Sequence, residues 1–278
     1  MSGARQTQLP RVTPTYSTRS STESTLFRRP TLFLGTIGAA LFFTGLFTSL
    51  LFLLIDSPRG NSDPANPISR EMLSSFGGSV IGFSNVGSLL GIIAYCVFAA
   101  QTAQEYTYGT LRNLLVRQPG RLRLLAGKLI SMKIFALAMV LISGVVSVLL
   151  SYFLAPGAKV ERSLWFTSDG WTQITQTYVN VSISVVGFGI LGMIMGLLLR
   201  SPISSISIGV LWILIIENLL GAVKSSTLEW LPGSQLNAIA MGGIPQVSYT
   251  HGLTLAGIYI GVGALIASIL FSRRDVAN

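Results

Sequence analysis

Residues 127–154 read GKLISMKIFALAMVLISGVVSVLLSYFL. No residue from Ile134 to Leu154 carries a charge, and an α-helix needs roughly 20 apolar residues to cross a bilayer. Lys128 and Lys133 both lie at the start, so the segment has one basic end and an apolar shaft. Working outward from it, similar runs cover roughly 32–55, 78–100, 178–199, 203–221 and 252–271. With 127–154 as the third, the chain is expected to be an all-α membrane protein with six transmembrane helices.

Composition agrees. Half of the 278 residues are hydrophobic and only 10% are charged, against roughly 25% in a soluble domain. The mean hydropathy of +0.63 leaves too little polar surface for a water-soluble fold, which excludes a soluble enzyme and a disordered protein. The apolar runs are continuous rather than alternating, which argues against an outer-membrane barrel. Cys96 is the single cysteine, so there is no intrachain disulfide and no metal-site spacing. The first span follows a polar leader of 31 residues and is longer than the apolar core of a cleavable signal peptide. The expected organisation is a cytoplasmic tail over 1–31, a six-helix domain over 32–271 and a second cytoplasmic tail over 272–278.

Orientation follows from lysine and arginine. One side holds Arg5, Arg11, Arg19, Arg28, Arg29, Arg112, Arg117, Arg121, Arg123, Lys128, Lys133, Arg200, Arg273 and Arg274. The other holds Arg59, Arg70, Lys159, Arg162 and Lys224. Both termini are therefore expected in the cytoplasm, in a cell inner (plasma) membrane protein. The net charge of +9 lies beside apolar runs, so membrane lipids, not nucleic acid, are its expected partner.

The outer segments are about 56–77, 155–177 and 222–251, with Trp165, Trp171 and Trp230 suited to an interfacial belt. The last has apolar patches at Leu228–Leu231 and Ile239–Met241, interrupted by Pro232, Gly233, Gly242 and Gly243. It leaves room for short helices re-entering the outer leaflet between helices 5 and 6. Arg200-Ser201-Pro202 makes a tight inward hairpin between helices 4 and 5. Gly78/Gly82, Gly87/Gly91, Gly192/Gly196 and Gly257/Gly261 are Gly-x-x-x-Gly pairs, readable as packing within the chain or between subunits.

The inward loop between helices 2 and 3 carries the most information. Residues 101–128 read QTAQEYTYGTLRNLLVRQPGRLRLLAGK. Helix 2 continues to about Tyr108, Gly109 ends it, and Thr110 can cap a short second helix. Leu111, Leu114 and Leu115 share one face, with Arg112, Asn113 and Arg117 largely outside it, and Pro119-Gly120 stops the helix. Such an amphipathic helix lies on the membrane surface or docks a soluble partner.

Glu105, Gly109-Thr110-Leu111-Arg112 and the following Arg121 and Gly127-Lys128 resemble the Glu-x-x-x-Gly-Thr-Leu-Arg…Arg…Gly-Lys pattern of type-2 permeases of ABC transporters. The basic ending Phe271-Ser272-Arg273-Arg274-Asp275 and the six-span plan are similar too. The Ser/Thr-rich leader departs from it where such permeases often have a clearer amphipathic helix. The resemblance implies a cytoplasmic coupling helix between helices 2 and 3, seated on a separate ATPase subunit. Its coupling residues are then Glu105, Gly109, Thr110, Leu111, Arg112 and Arg121. It also implies a second copy or a related permease, with helices 2 and 5 lining a shared cleft.

No phosphate loop is present: Gly120 and Gly127-Lys128 have the wrong spacing, and Leu129 stands where a hydroxyl is required. The chain is thus not expected to be an enzyme and needs no cofactor of its own, with ATP and magnesium on the partner ATPase. An apolar, acid-poor interior suits export of an amphipathic or hydrophobic cargo such as a lipid, a peptide or a drug-like molecule. The alternative is an ion-coupled secondary transporter or channel, which wants ionisable groups near the midplane. A membrane-embedded enzyme would need clustered His, Asp or Glu at one depth, and the sequence offers no such cluster.

Glu217 is the acidic residue well inside a span. It reads either as an outer-interface carboxylate reaching water or Lys224, or as part of the pathway exit. Asn218 beside it is a further pathway candidate, while Asn85 in helix 2 and Asn180 in helix 4 are weaker ones, each better read as making an interhelical hydrogen bond. His251 is read as interfacial.

Overall fold

The computed structural model describes residues 30–55, 69–108 and 121–273. Helix α1 spans Pro30–Leu53, α2 Arg70–Ser74, α3 Ile81–Thr107, α4 Arg121–Leu154 and α5 Ser168–Leu199. Then come α6 over Pro202–Leu211, a π-turn over Trp212–Ile216, α7 over Glu217–Val223, α8 over Pro232–Met241 and α9 over Tyr249–Arg273. Short 3-10 turns occupy Gly78–Val80 and Ser225–Trp230. Six segments are long and apolar enough to cross a membrane: Phe33–Leu53, Gly78–Thr107, Leu122–Leu154, Ser168–Leu199, Pro202–Val223 and Tyr249–Phe271. This is the plan of a multi-pass membrane protein. The expected tails fall almost wholly outside the described residues, as do Gly109, Thr110, Leu111 and Arg112.

Local chemistry sets the helix ends. Thr167 caps α5, its Oγ1 accepting from the Gly170 amide at 3.3 Å, and Asp169 adds negative charge to the first turn. The helix thus begins at Ser168, not at about 178 as hydropathy suggests. Its first turns carry Thr172, Gln173, Thr175 and Gln176, all exposed, which mask a helix from an apolar-run reading. At the far end Arg200 takes a left-handed φ of 54° and Pro202 opens α6, giving the expected hairpin. Between α7 and α9, where short helices are expected, lie the Ser225–Trp230 turn and α8. Pro232 and Gly233 form the first turn of α8 instead of breaking the chain, and Gly242, at φ 77°, ends it.

The central pair is α3 and α5, with α4 and α1 on one flank and α8, α9 and α6 on the other. Phe83, Val86, Leu90 and Phe98 of α3 meet Met132, Phe135 and Met139 of α4 and Val181 and Val185 of α5 in one buried cluster. Lipid tails are as apolar as these side chains, so close packing rather than water exclusion holds the helices together. Gly192 shows how close. A Cβ there would stand 2.2 Å from the Tyr95 carbonyl oxygen, and one at Gly91 would stand 2.1 Å from the Phe188 ring. Gly87/Gly91 and Gly192/Gly196 therefore serve packing within the chain, whereas Gly257 and Gly261 face open space. Gly192→Ala is expected to cost at least 1–3 kcal/mol, roughly the range for overpacking, because backbone must move. Gly257→Ala should be silent. Thermal unfolding of the two purified variants checks this, and equal midpoints would refute the packing account.

Of the three tryptophans expected at the interface, Trp171 and Trp230 are exposed but Trp165 is fully buried. Its indole donates to the Leu73 carbonyl at 2.9 Å and packs with Leu51, Phe52 and Val160, closing the bundle end over α2. A satisfied N–H lets a large ring serve as core there.

Candidate functional site

Two polar assemblies lie at opposite ends of the bundle. The first ties the C-terminal end of α3 to the start of α4. Lys128 Nζ lies 2.6 Å from Glu105 Oε1 and donates to the Gln101 carbonyl at 2.7 Å. Both side chains are largely buried, at 14% and 21% exposure, so Lys128 draws its charge compensation from Glu105. Next to Glu105, the Tyr106 ring lies under the Arg200 guanidinium at 5.3 Å, which brings in the α5–α6 hairpin. The C-terminal end of α3 and the start of α4 are thus clamped together. Of the expected coupling residues, Glu105 is in this clamp, Arg121 opens α4, and Gly109 to Arg112 lie outside the described residues. Lys128, part of both the basic start of helix 3 and the Gly-Lys pair, is an ion-pair partner of Glu105.

At the opposite end, the π-turn after α6 puts Trp212 and Glu217 on one side of the fifth span, and the indole donates to Glu217 Oε1 at 3.0 Å. The Gly233 amide donates to Oε1 at 2.9 Å, the Ser234 amide to Oε2 at 2.8 Å, and the Ser234 hydroxyl to Oε2 at 3.3 Å. Glu217 is only 3% exposed. It supplies the cap that Leu231, at the N-cap position of α8, has no side-chain oxygen to give. The carboxylate also meets the positive end of the α8 dipole. Its side chain therefore turns inward onto α8, away from Lys224.

Helix α8 is held elsewhere as well. Ser184 Oγ donates to the Leu236 carbonyl at 2.7 Å, Gln235 Nε2 to the Leu228 carbonyl at 2.9 Å, and the Tyr249 hydroxyl to Asn180 Oδ1 at 2.8 Å on the flank. His251 Nε2 pairs with the Glu229 carbonyl at 3.0 Å, and the Tyr259 hydroxyl donates to the Trp230 carbonyl at 2.5 Å. The remaining candidates are less connected. Asn85 donates back to Ile81 at 2.9 Å, and exposed Asn218 to Leu214 at 3.0 Å, each within its own span. The structure does not bring Asn85 and Glu217 together by hydrogen bonds. Among the described residues there is no His, Cys, Asp and Glu group able to hold a metal.

A protein of Bacillus subtilis (strain 168), described as uncharacterized protein YhcI, is 23% identical over 212 residues, which are 70% of this chain and 67% of that one. No solved structure matches the chain. The family model DUF2705, described as a protein of unknown function, matches residues 39–277, from within α1 to beyond α9, and the chain belongs to that family.

Proposed function

We propose that this chain is the membrane-spanning permease subunit of an ATP-driven ABC exporter, working with a second copy or a related permease and with cytoplasmic ATPase subunits. The observation that carries the reading is the Lys128–Glu105–Gln101 clamp between the end of α3 and the start of α4, the two helices that residues 109–120 connect in the chain. A loop that transmits force from a soluble ATPase needs a stiff base, and a buried ion pair across two spanning helices is one. ATP and magnesium belong to the partner subunit. Span five leaves Ile208, Leu211, Leu214, Ile215 and Leu219 exposed, a face open to lipid or to a second copy. The cargo class in this reading is amphipathic or hydrophobic, and both termini and residues 109–120 face the cytoplasm. Glu217 is the one observation for an ion-coupled transporter, but four donors engage it in holding α8.

The test is purification of the tagged full chain in mild detergent from its native cells. A phosphate-loop ATPase and ATP hydrolysis should accompany it, and Asn113→Cys, in a Cys96→Ser background, should label only from the cytoplasmic side. Labelling of Asn113→Cys from outside, or a well-folded chain without an ATPase, would sink the proposal.

A further inference from the structure

An apolar groove of about 330 Å³ runs along the membrane-facing side of the bundle between α4 and α5. Leu141, Val145, Val148 and Leu149 form its α4 wall, and Trp171, Ile174, Thr175 and Tyr178 its α5 wall. Each set is spaced to share one helix face. Its floor is Phe83 of α3, kept low because Gly144 has no side chain: a Cβ there would stand 3.2 Å from the Phe83 ring. Tyr178 closes the end nearer the membrane centre, stacked on Phe83 with its hydroxyl reaching the Leu137 carbonyl at 3.5 Å.

The other end opens toward water. One turn beyond Leu149, Tyr152 continues the α4 wall, and Phe166 bridges it to Trp171 with ring centroids 6.1 and 5.9 Å apart. The Arg162 guanidinium lies 4.2 Å over the Tyr152 ring and donates once, to the Tyr152 carbonyl. Other guanidinium N–H groups remain for an anion. From Leu141 to Leu149 the groove spans about 12 Å of helix, close to the roughly 15 Å depth of one leaflet's hydrocarbon.

We propose that this groove is a binding site for one phospholipid, an acyl chain lying between α4 and α5 and the headgroup phosphate on Arg162 above the Tyr152–Phe166–Trp171 shelf. The groove alone would suit any apolar chain. A cation over aromatic rings at its wet end selects an amphiphile with an anionic head. The site stands apart from the transport reading, since it needs only a bilayer around these helices.

The experiment uses the full chain in detergent with added phosphatidylglycerol or, as the phosphate-free probe, diacylglycerol with the same acyl chains, read by native mass spectrometry. Wild type should retain one phosphatidylglycerol per chain and prefer it to diacylglycerol. Thr175→Trp and Val145→Phe fill the groove from its exposed walls and should each weaken binding by about tenfold or more. Arg162→Gln should cost about fivefold for phosphatidylglycerol and nothing for diacylglycerol. Val262→Trp, on the exposed face of α9, is the control and should bind as wild type. Unfolding midpoints near wild type in the two groove variants separate lost binding from lost fold. Equal retention in both groove variants and wild type would overturn the site. So would a change of oligomeric state without a change in bound lipid, which would make a second copy the occupant.

Discussion

Glu217→Gln should lower the thermal unfolding midpoint of the purified protein by roughly 5–10 °C, although the side chain keeps its size. The carboxylate accepts from two backbone amides, an indole and a hydroxyl inside the protein. An amide offers one acceptor oxygen and turns an NH2 toward the remaining donors. Losing charge-assisted bonds with a donor left stranded costs about 2.5 kcal/mol in all, inside the usual range of about 1.5–3 kcal/mol. For a chain of this size about 2–4 °C of midpoint follows each kcal/mol. Glu217→Ala should fall further, because a cavity is added beside Gly233. Lys224→Ala should do nothing. If transport in Glu217→Gln falls in step with the docking of α8, judged by faster hydrogen exchange over 232–241, the residue acts by positioning that helix. An unchanged midpoint with unchanged exchange would show that the cap contributes little.

The sequence made some of this legible and hid the rest for identifiable reasons. The six spans follow from long apolar runs, and the Arg200–Pro202 hairpin from a proline that can only begin a helix. The early start of α5 was hidden because Thr172 to Gln176 are polar while their backbone is helical. An interfacial Trp165 is what sequence alone suggests, because indoles usually lie at membrane interfaces. Its burial depends on the Leu73 carbonyl, 92 residues away in sequence, and no local pattern reports that. The role of Glu217 does have a local signature. Leu231-Pro232-Gly233 opens a helix without a capping side chain, so its amides need an acceptor from elsewhere, and a carboxylate deep in the preceding span can supply it. The π-turn that aims it cannot be read from WILII, which suits an ordinary helix equally well.

The clamp between the end of α3 and the start of α4 gives the second large effect. Glu105→Ala leaves Lys128 charged and largely buried with only the Gln101 carbonyl shown as its partner. Stranding a buried charge costs about 3–5 kcal/mol, and the lower end applies because Lys128, at 14% exposure, keeps some access to water. Folded yield and unfolding midpoint should both drop. Glu105→Leu combined with Lys128→Met should recover most of the stability, since an apolar pair of similar volume often replaces a buried ion pair at little cost. Coupling then separates from folding. If the pair works as a stiff base for the loop, the double variant should regain cargo-stimulated ATP hydrolysis along with stability. Arg112→Ala should fold normally yet lose that stimulation by tenfold or so, a barrier change of about 1.4 kcal/mol. Wild-type stimulation in both Glu105→Ala and Arg112→Ala would remove the basis for assigning this loop to an ATPase. Loss in Glu105→Ala alone, reversed in the double variant, would leave the clamp as architecture with no role for Arg112.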